Sequence, residues 1–284
     1  MDFISGAVEI AKSGYLGWIF VFIILTAFEF LNARGDQKLR GRVNGLAYWT
    51  VFIPLSAVLL AGLTWLWAAL GLRPLLSLPA FEAFSWIGPL AAVGAVLVAA
   101  IVNDFFFYWA HRFQHRFLWR YHAVHHSIRE MNAVNSYHHA SEAIVSLLLY
   151  TIPTSLIVSD LGPGLPFVSL AIWLHIVWIH SPTRANFGPL RALFVDNRFH
   201  RIHHSLEERH FDRNFGAFTT LWDRLFGTAC FPGPGQWPAV GLATIDEPRT
   251  VREWIDLPAR YGSGEGRGKA ALKPAAGPAG QALT

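Results

Sequence analysis

The chain has 284 residues, of which 53% are hydrophobic and only 15% are charged, and its formal net charge is +4. Soluble domains usually carry about a quarter charged residues, so the apolar excess indicates a membrane protein. The single cysteine, Cys230, excludes an intramolecular disulfide, a cysteine-based zinc site and an iron–sulfur cluster. The basic residues form no face interleaved with aromatic side chains, so no nucleic-acid partner is expected.

Apolar stretches recur along the chain at lengths near the roughly 20 residues that a membrane span needs. In chain order they cover 15–31, 43–72, 83–103, 143–158 and 165–179. The last two are short, and a Gly- and Pro-containing turn joins them, which predicts a helical hairpin that either spans the bilayer or dips into it. We therefore expect an all-α fold, an integral-membrane bundle of about four to five membrane helices.

The distribution of Lys and Arg predicts the orientation of these helices. The segments 33–42, 112–129 and 198–213 each carry four basic residues, whereas 71–82 carries only Arg73. The positive-inside rule then places the histidine-rich region on the cytoplasmic face of a multi-pass protein, as a helical cap. Residues 1–258 are expected to form one membrane-embedded domain, and 259–284, rich in Gly, Ala and Pro, a disordered tail.

All 13 histidines lie between His111 and His210. Many of them are three or four residues apart, so that they share one face of a helix and can present two nitrogens to one ion. They form one H-x3-H motif and two H-x2-HH motifs: His111 and His115; His122, His125 and His126; His200, His203 and His204. This number of imidazoles exceeds what one zinc ion needs and indicates two metals.

The ligand types narrow the kind of metal site. The chain has no thiolate cluster, and the Glu-x-x-His pattern of ferritin-like di-iron bundles does not occur among the histidine motifs. What remains is an imidazole-rich site for two metals. Imidazole suits iron, copper, zinc and nickel, so spacing alone does not choose between them.

Five segments of this region resemble the fatty acid hydroxylase / sterol desaturase superfamily: DFFFYWAHR, WRYHAVHHS, FHRIHHS, NFG and WDRLFGT. The similarity covers about 103–228, together with the membrane segments before it. Phe215 stands where the family more often has Tyr. The resemblance implies an integral-membrane, non-haem di-iron oxygenase that hydroxylates or desaturates an unactivated C–H bond of a fatty acyl, sterol-like or related lipid with O2.

The resemblance also implies the catalytic residues and metal ligands. Eight residues match the three histidine boxes, as ligands of two iron ions that zinc can replace: His111, His115, His122, His125, His126, His200, His203 and His204. Three more are candidate ligands: His180 matches a further family histidine, His139 belongs with Glu142 to a His-x-x-Glu match, and His175 lies about one turn before His180. His138 and His210 are expected to be bystanders. Four carboxylates could accept imidazole N–H groups, or equally cap helices and form ion pairs: Asp104, Glu142, Asp196 and Asp223.

The absence of a cofactor-binding motif indicates which partner the protein needs. It has no Gly-rich dinucleotide fingerprint, so the electrons are expected from an external donor such as a ferredoxin, cytochrome b5 or a reductase. Two alternatives stay open. A membrane zinc hydrolase would need about three ligands and a general-base Glu, but His-Glu-x-x-His is absent. A non-enzymatic metal-binding or transport protein would need ionisable residues within its spans, where only His175 is a candidate.

Overall fold

The computed structural model of the protein describes residues 2–35, 39–73, 75–77, 88–159, 165–243 and 245–260. Its α-helices are α1 Phe3–Leu31, α2 Leu39–Leu70, α3 Gly88–Phe117, α4 Trp119–His126, α5 Glu142–Ser146, α6 Ile152–Ile157, α7 Leu165–Trp178, α8 Asn197–His203, α9 Leu221–Leu225 and α10 Val251–Arg260. A π-helix covers Leu147–Thr151, and short 3-10 helices cover Gly188–Ala192 and Glu208–His210. The strands β1 Leu76–Ser77 and β2 Val158–Ser159 pair in parallel. The predicted all-α class is confirmed.

Helices α1 and α2 are each long and apolar enough to cross a membrane, by length and composition. They contain most of the predicted spans 15–31 and 43–72. The two helices pack against each other through Trp18 and Trp49, whose ring centroids are 3.6 Å apart. Many large apolar side chains on their outer surfaces remain exposed, which suits contact with lipid rather than water.

The later apolar stretches are less regular than the sequence predicts. The stretch 143–158 was expected to be one helical segment, but the π-helix Leu147–Thr151 separates α5 from α6. Pro153 is the second residue after this π-helix, and its missing N–H cannot continue the α-helical hydrogen-bond pattern. The stretch 165–179 forms α7. Residues 83–87 of the third stretch, the turn at 160–164 and the tail from 261 onward lie outside the described residues.

The helix pair α1–α2 supports the segment that follows the first H-x2-HH motif. Glu29 is fully buried; it pairs with Arg42 at 2.5 Å and accepts a hydrogen bond from the backbone N–H of Ala133 at 2.7 Å. The chain at Val134 approaches α2 so closely that a Cβ on Gly45 would lie 2.0 Å from the Val134 carbonyl oxygen. Only glycine fits there. This contact therefore fixes the position along α2 at which the histidine region packs against the apolar helices.

Helix α10 closes the other side of this region. Its buried side chains, Trp254 and Leu257, face inward, and the helix packs beside α4. The indole N–H of Trp254 donates to the backbone carbonyl of His138 at 2.8 Å. The C-terminal helix therefore helps to position the segment between the second and third groups of histidines.

Candidate metal centre

The three histidine motifs lie at the ends of three helices that meet in the interior. The H-x3-H pair is in the last two turns of α3, and α4 begins two residues after α3 ends, so the chain turns back and sets the two helices side by side. The third motif is on α8. Asp196 caps this helix by accepting hydrogen bonds from the backbone N–H groups of Arg198 and Phe199, which fixes where the helix begins.

Nine histidines form two buried groups, in each of which the candidate ligand nitrogens lie within 4.8 Å of one another. Cluster A consists of His111, His115, His122, His126 and His203, and cluster B consists of His125, His180, His200 and His204. Both H-x2-HH motifs are divided between the clusters. The structure therefore brings together all eight histidine-box residues and His180, in two sites that share helices α4 and α8.

Hydrogen bonds fix the tautomers of two histidines in cluster B. The Nδ1 atom of His125 lies 3.0 Å from the carbonyl oxygen of Tyr137, and the Nδ1 atom of His180 lies 3.2 Å from that of Ile176. A carbonyl oxygen only accepts, so each Nδ1 carries the hydrogen, and in a neutral imidazole Nε2 is then a bare lone pair. The two Nε2 atoms are 3.4 Å apart. Two acceptors at that distance cannot hydrogen-bond to each other, and a cation satisfies both.

The same reasoning applies to cluster A. The Nδ1 atoms of His111 and His203 each lie 2.8 Å from a backbone carbonyl, that of Phe215 and that of Arg213. Their Nε2 lone pairs point into the cluster, where His111 Nε2 is 3.0 Å from His122 Nε2. The Nε2 atom of His203 is buried and has no hydrogen-bond partner among the described residues. Such converging, unprotonated nitrogens fit a metal-ion site.

Burial keeps these imidazoles in the form that binds metals. It lowers the pKa of six cluster histidines well below 6.5, and neighbouring imidazoles lower the pKa further, because each would repel a second positive charge. These six are His122, His125, His126, His200, His203 and His204. These six imidazoles are therefore neutral near physiological pH, with their lone pairs available to a cation.

A single loop, which we call the support loop (residues 212–216), orients three imidazoles of cluster A. The carbonyls of Arg213 and Phe215 contact two of them, and the Asp212 carboxylate lies 3.2 Å from Nδ1 of His115. Asp212 and Asn214 have positive φ angles of 55° and 59°, a left-handed conformation that Asp and Asn tolerate better than most residues. The left-handed backbone at these two residues directs the carbonyls of Arg213 and Phe215 toward the cluster.

Residues 96–228 match a family model described as fatty acid hydroxylase. This region is a fatty acid hydroxylase domain. The superfamily resemblance that the sequence indicated is thereby confirmed.

Three curated relatives are similar to the domain over part of their length. Alkylglycerol monooxygenase of Homo sapiens is 30% identical over 128 residues, which cover 44% of this chain and 28% of the relative. Ornithine lipid hydroxylase OlsE of Rhizobium tropici is 33% identical over 142 residues, 47% of this chain and 41% of the relative. Very-long-chain aldehyde decarbonylase CER1 of Arabidopsis thaliana is 29% identical over 152 residues, 47% of this chain and 23% of the relative. The chain thus covers less than half of each relative, and no solved structure matches it significantly.

Of the four carboxylates that could accept imidazole N–H groups in the fatty acid hydroxylase domain, two accept hydrogen bonds from backbone N–H groups instead. Asp104 accepts three hydrogen bonds from the backbone N–H groups of 217–219, at 2.9 to 3.0 Å. Asp223 accepts from the N–H groups of Phe215 and Gly216 in the support loop, both at 2.8 Å. Asp223 therefore acts on cluster A indirectly, by fixing the loop that orients it, and Asp104 fixes the segment that directly follows this loop.

The other two predicted carboxylates have different roles. Asp196 caps α8 and pairs with Arg191, as the capping alternative predicted. Glu142 accepts from Gln114. Asp212, which the sequence reasoning missed, is the carboxylate that contacts a cluster histidine. The available signal was the pair of Asp and Asn residues flanking Arg213, a pattern compatible with left-handed backbone.

Four histidines lie outside both clusters. The structure does not bring the candidate ligands His139 and His175 to either site. His139 Nδ1 contacts the Ser141 hydroxyl at 2.9 Å, with its ring near Trp254, and His175 Nε2 lies 2.6 Å from the Val195 carbonyl oxygen, which receives its hydrogen. His210 contacts Ser205. His138 stacks on His125 with ring centroids 3.8 Å apart, so it packs against cluster B.

A cavity of about 410 Å³ runs from the apolar helices to the clusters. Large apolar side chains of α1, α2 and α7 form much of its wall, among them Trp18, Trp49, Ile53 and Trp173. Five cluster histidines complete the lining: His111, His122, His125, His180 and His200. The volume is within the usual range for a small-molecule site. The cavity therefore offers an apolar molecule direct access to the candidate metal ligands.

Proposed function

We propose that the protein is an O2-dependent oxidoreductase that hydroxylates or desaturates an unactivated C–H bond of a lipid at a non-haem di-iron centre. The observation that carries the proposal is the pair of buried imidazole clusters lining an apolar cavity. The names of two relatives, alkylglycerol monooxygenase and ornithine lipid hydroxylase, point to the same class of chemistry.

We assign one iron ion to each cluster, with the five histidines of cluster A and the four of cluster B as ligands. His139 and His175 are left out of the ligand set. When bound, iron supplies the activation of O2 and the oxidation of the C–H bond, the hard chemistry that protein side chains cannot perform. Each hydroxylation consumes one O2, two electrons and two protons, and it yields one hydroxyl group and one water.

The chain's own residues supply binding and orientation. The backbone carbonyls of Tyr137, Arg213 and Phe215 hold imidazole Nδ1–H groups, so that the Nε2 lone pairs stay directed inward. Such outer partners set ring orientation and raise ligand basicity. The aromatic and aliphatic wall of the cavity aligns a lipid chain and excludes water from the reacting bond, and the position of the chain selects the carbon that is oxidised.

The remaining requirement is an electron supply, and we assign it to an external protein such as a ferredoxin, cytochrome b5 or a reductase. In cluster A, His115 contacts the carboxylate of Asp212, which is exposed. Beside Asp212, a pocket of about 590 Å³ includes Arg112 and Arg116, which suit an acidic carrier.

Two apolar helices and the family support membrane association. We extend this to a multi-pass arrangement with the clusters on the cytoplasmic face, following the distribution of Lys and Arg.

The test is oxidation of lipid by purified protein reconstituted with iron without oxygen, reduced and then exposed to O2. Lipid extracts are compared by mass spectrometry for the gain of one oxygen atom or the loss of two hydrogens, which separates hydroxylation from desaturation. His125→Ala should abolish the product and lower the iron content, whereas His139→Ala, outside both clusters, should retain both. Turnover with zinc and without O2 would instead support a hydrolase.

A further inference from the structure

The cavity wall contains a partly buried acidic group, Glu142, whose role the metal sites do not explain. Glu142 lines the cavity at the start of α5. One of its carboxylate oxygens, Oε1, accepts hydrogen bonds from Gln114 Nε2 at 2.6 Å and from the Ser146 hydroxyl at 3.2 Å. Gln114 precedes His115 in α3, so this contact fixes the carboxyl group next to cluster A. A carboxylate can accept about four hydrogen bonds, so Glu142 retains capacity for a further donor.

The Asp, Glu, Lys and Arg side chains that line the cavity are all acidic. Among the described residues that line the cavity, the carboxylic acids are Asp104 and Glu142, and there is no Lys or Arg. Asp104 already accepts four hydrogen bonds from 217–219. Glu142 is therefore the acidic group of the lining that is free to receive a hydrogen bond from a bound molecule.

We propose that Glu142 determines substrate specificity by accepting a hydrogen bond from a hydroxyl or ammonium group at the polar end of the lipid. The inference rests on the proposed function and deepens it. With the donor group held at Glu142 and the alkyl chain along Trp18, Trp49 and Ile53, the carbon presented to the clusters lies near the polar end of the lipid. A free fatty acid carboxylate offers no hydrogen-bond donor to Glu142 and would face a second carboxylate there.

The test is equilibrium binding of four radiolabelled probes with the same alkyl chain to purified protein in detergent micelles, without O2 or reductant. The probes are 1-hexadecanol, hexadecylamine, hexadecyl methyl ether and palmitate at pH 8, each compared at equal mole fraction in the micelle. The alcohol and the amine should bind at least about tenfold more tightly than the ether, the range expected for a hydrogen bond to a charged group. Palmitate carries no donor, so its affinity is compared between the natural protein and the variants.

Two variants assign this preference to Glu142. Glu142→Leu removes the acceptor, so the alcohol and the ether should bind equally. Glu142→Gln keeps the shape and an acceptor oxygen for Gln114, so the alcohol should still be preferred over the ether, while the amine loses about tenfold and palmitate gains. Glu208→Gln, an exposed site, is the matched control and should leave all four affinities unchanged. Circular dichroism and iron content confirm that each variant folds. If Glu142→Leu does not fold, the binding data of Glu142→Gln decide the test.

Equal binding of hexadecanol and hexadecyl methyl ether to the natural protein would overturn the inference, and so would preferences that persist in both Glu142 variants. The binding assay needs no turnover, so its failure is distinct from failure of the proposed function. A Glu142-dependent preference without O2-dependent oxidation would contradict the function alone. Oxidation without such a preference would contradict the specificity role alone.

Discussion

Clusters A and B contain similar ligands but are built differently. Cluster A has five imidazoles, and the support loop holds three of them. Cluster B has four, and its Nδ1 contacts come from separate segments, at Tyr137 and Ile176, while the Nδ1 atoms of His200 and His204 have no partner among the described residues. Three of the four histidines of cluster B line the cavity, against two of the five in cluster A. We infer that cluster A is the more rigidly held site and cluster B the one more open to substrate.

Neighbouring histidines on α4 allow the two clusters to be broken separately. His125 belongs to cluster B and His126 to cluster A. Each alanine variant should lose about half of the bound iron and essentially all lipid oxidation. The loss of activity should exceed the roughly 10- to 100-fold that removing an outer hydrogen-bond partner of a ligand costs. Iron analysis and product assays on both variants test this. If His125→Ala and His126→Ala both keep the iron content of the natural protein, the division into two clusters is wrong.

Acid should weaken both clusters together. Three histidines with strongly lowered pKa values belong to cluster A and three to cluster B. Their folded pKa lies below 6.5, so the unfolded chain binds protons first as the pH falls, and stability that is present above about pH 6.5 is lost below it. Each such histidine should cost the metal-free protein about 1.4 kcal/mol at one pH unit below its unfolded pKa.

Thermal unfolding of the metal-free protein between pH 8 and pH 5.5 measures this loss. Iron-loaded protein is the control, because metal binding holds the imidazoles neutral and should shift the loss to lower pH. A metal-free protein whose unfolding temperature rises on acidification would contradict the burial of neutral imidazoles.

The support loop should be the weak point of cluster A. Asp223→Ala leaves the N–H groups of Phe215 and Gly216 and the Thr228 hydroxyl without their carboxylate acceptor. We expect a destabilisation of about 3 kcal/mol, since each buried unsatisfied group costs about 1–3 kcal/mol. Asp256→Ala, on the partly exposed ion pair of α10, is the control and should change stability little. Equal unfolding temperatures for the two variants would show that the loop does not depend on Asp223.

The smallest of these effects is expected at Asp212. Asp212→Ala removes the outer partner of His115 but no ligand. Iron affinity should fall about tenfold at cluster A and stay unchanged at cluster B, following the usual cost of losing an outer hydrogen bond. Competition with a chelator, read as two separate iron-release steps, measures both sites in one experiment. Equal weakening of both sites would mean that the clusters do not differ in the way proposed here.

The sequence indicated which histidines share a helix face, because spacing alone determines that. It could not show that His125 separates from His122 and His126, since this division depends on which helix packs on each side of α4. The exclusion of His139 and His175 likewise depends on distant contacts, with Trp254 in one case and Val195 in the other. The all-α class followed from the apolar stretches. The π-helix before Pro153 could not be predicted in this way, because hydropathy does not register the backbone hydrogen bond that proline cannot donate.

The most direct test of the central claim is the Mössbauer spectrum and iron stoichiometry of protein reconstituted with 57Fe(II) under anaerobic conditions. Anaerobic loading matters because imidazole sites in overproduced protein readily take up zinc instead. The two clusters predict two iron ions per chain in nitrogen-rich surroundings, both oxidised when O2 and a lipid substrate are added. A single iron per chain, or iron that O2 leaves unchanged in the presence of lipid, would contradict a di-iron lipid oxygenase.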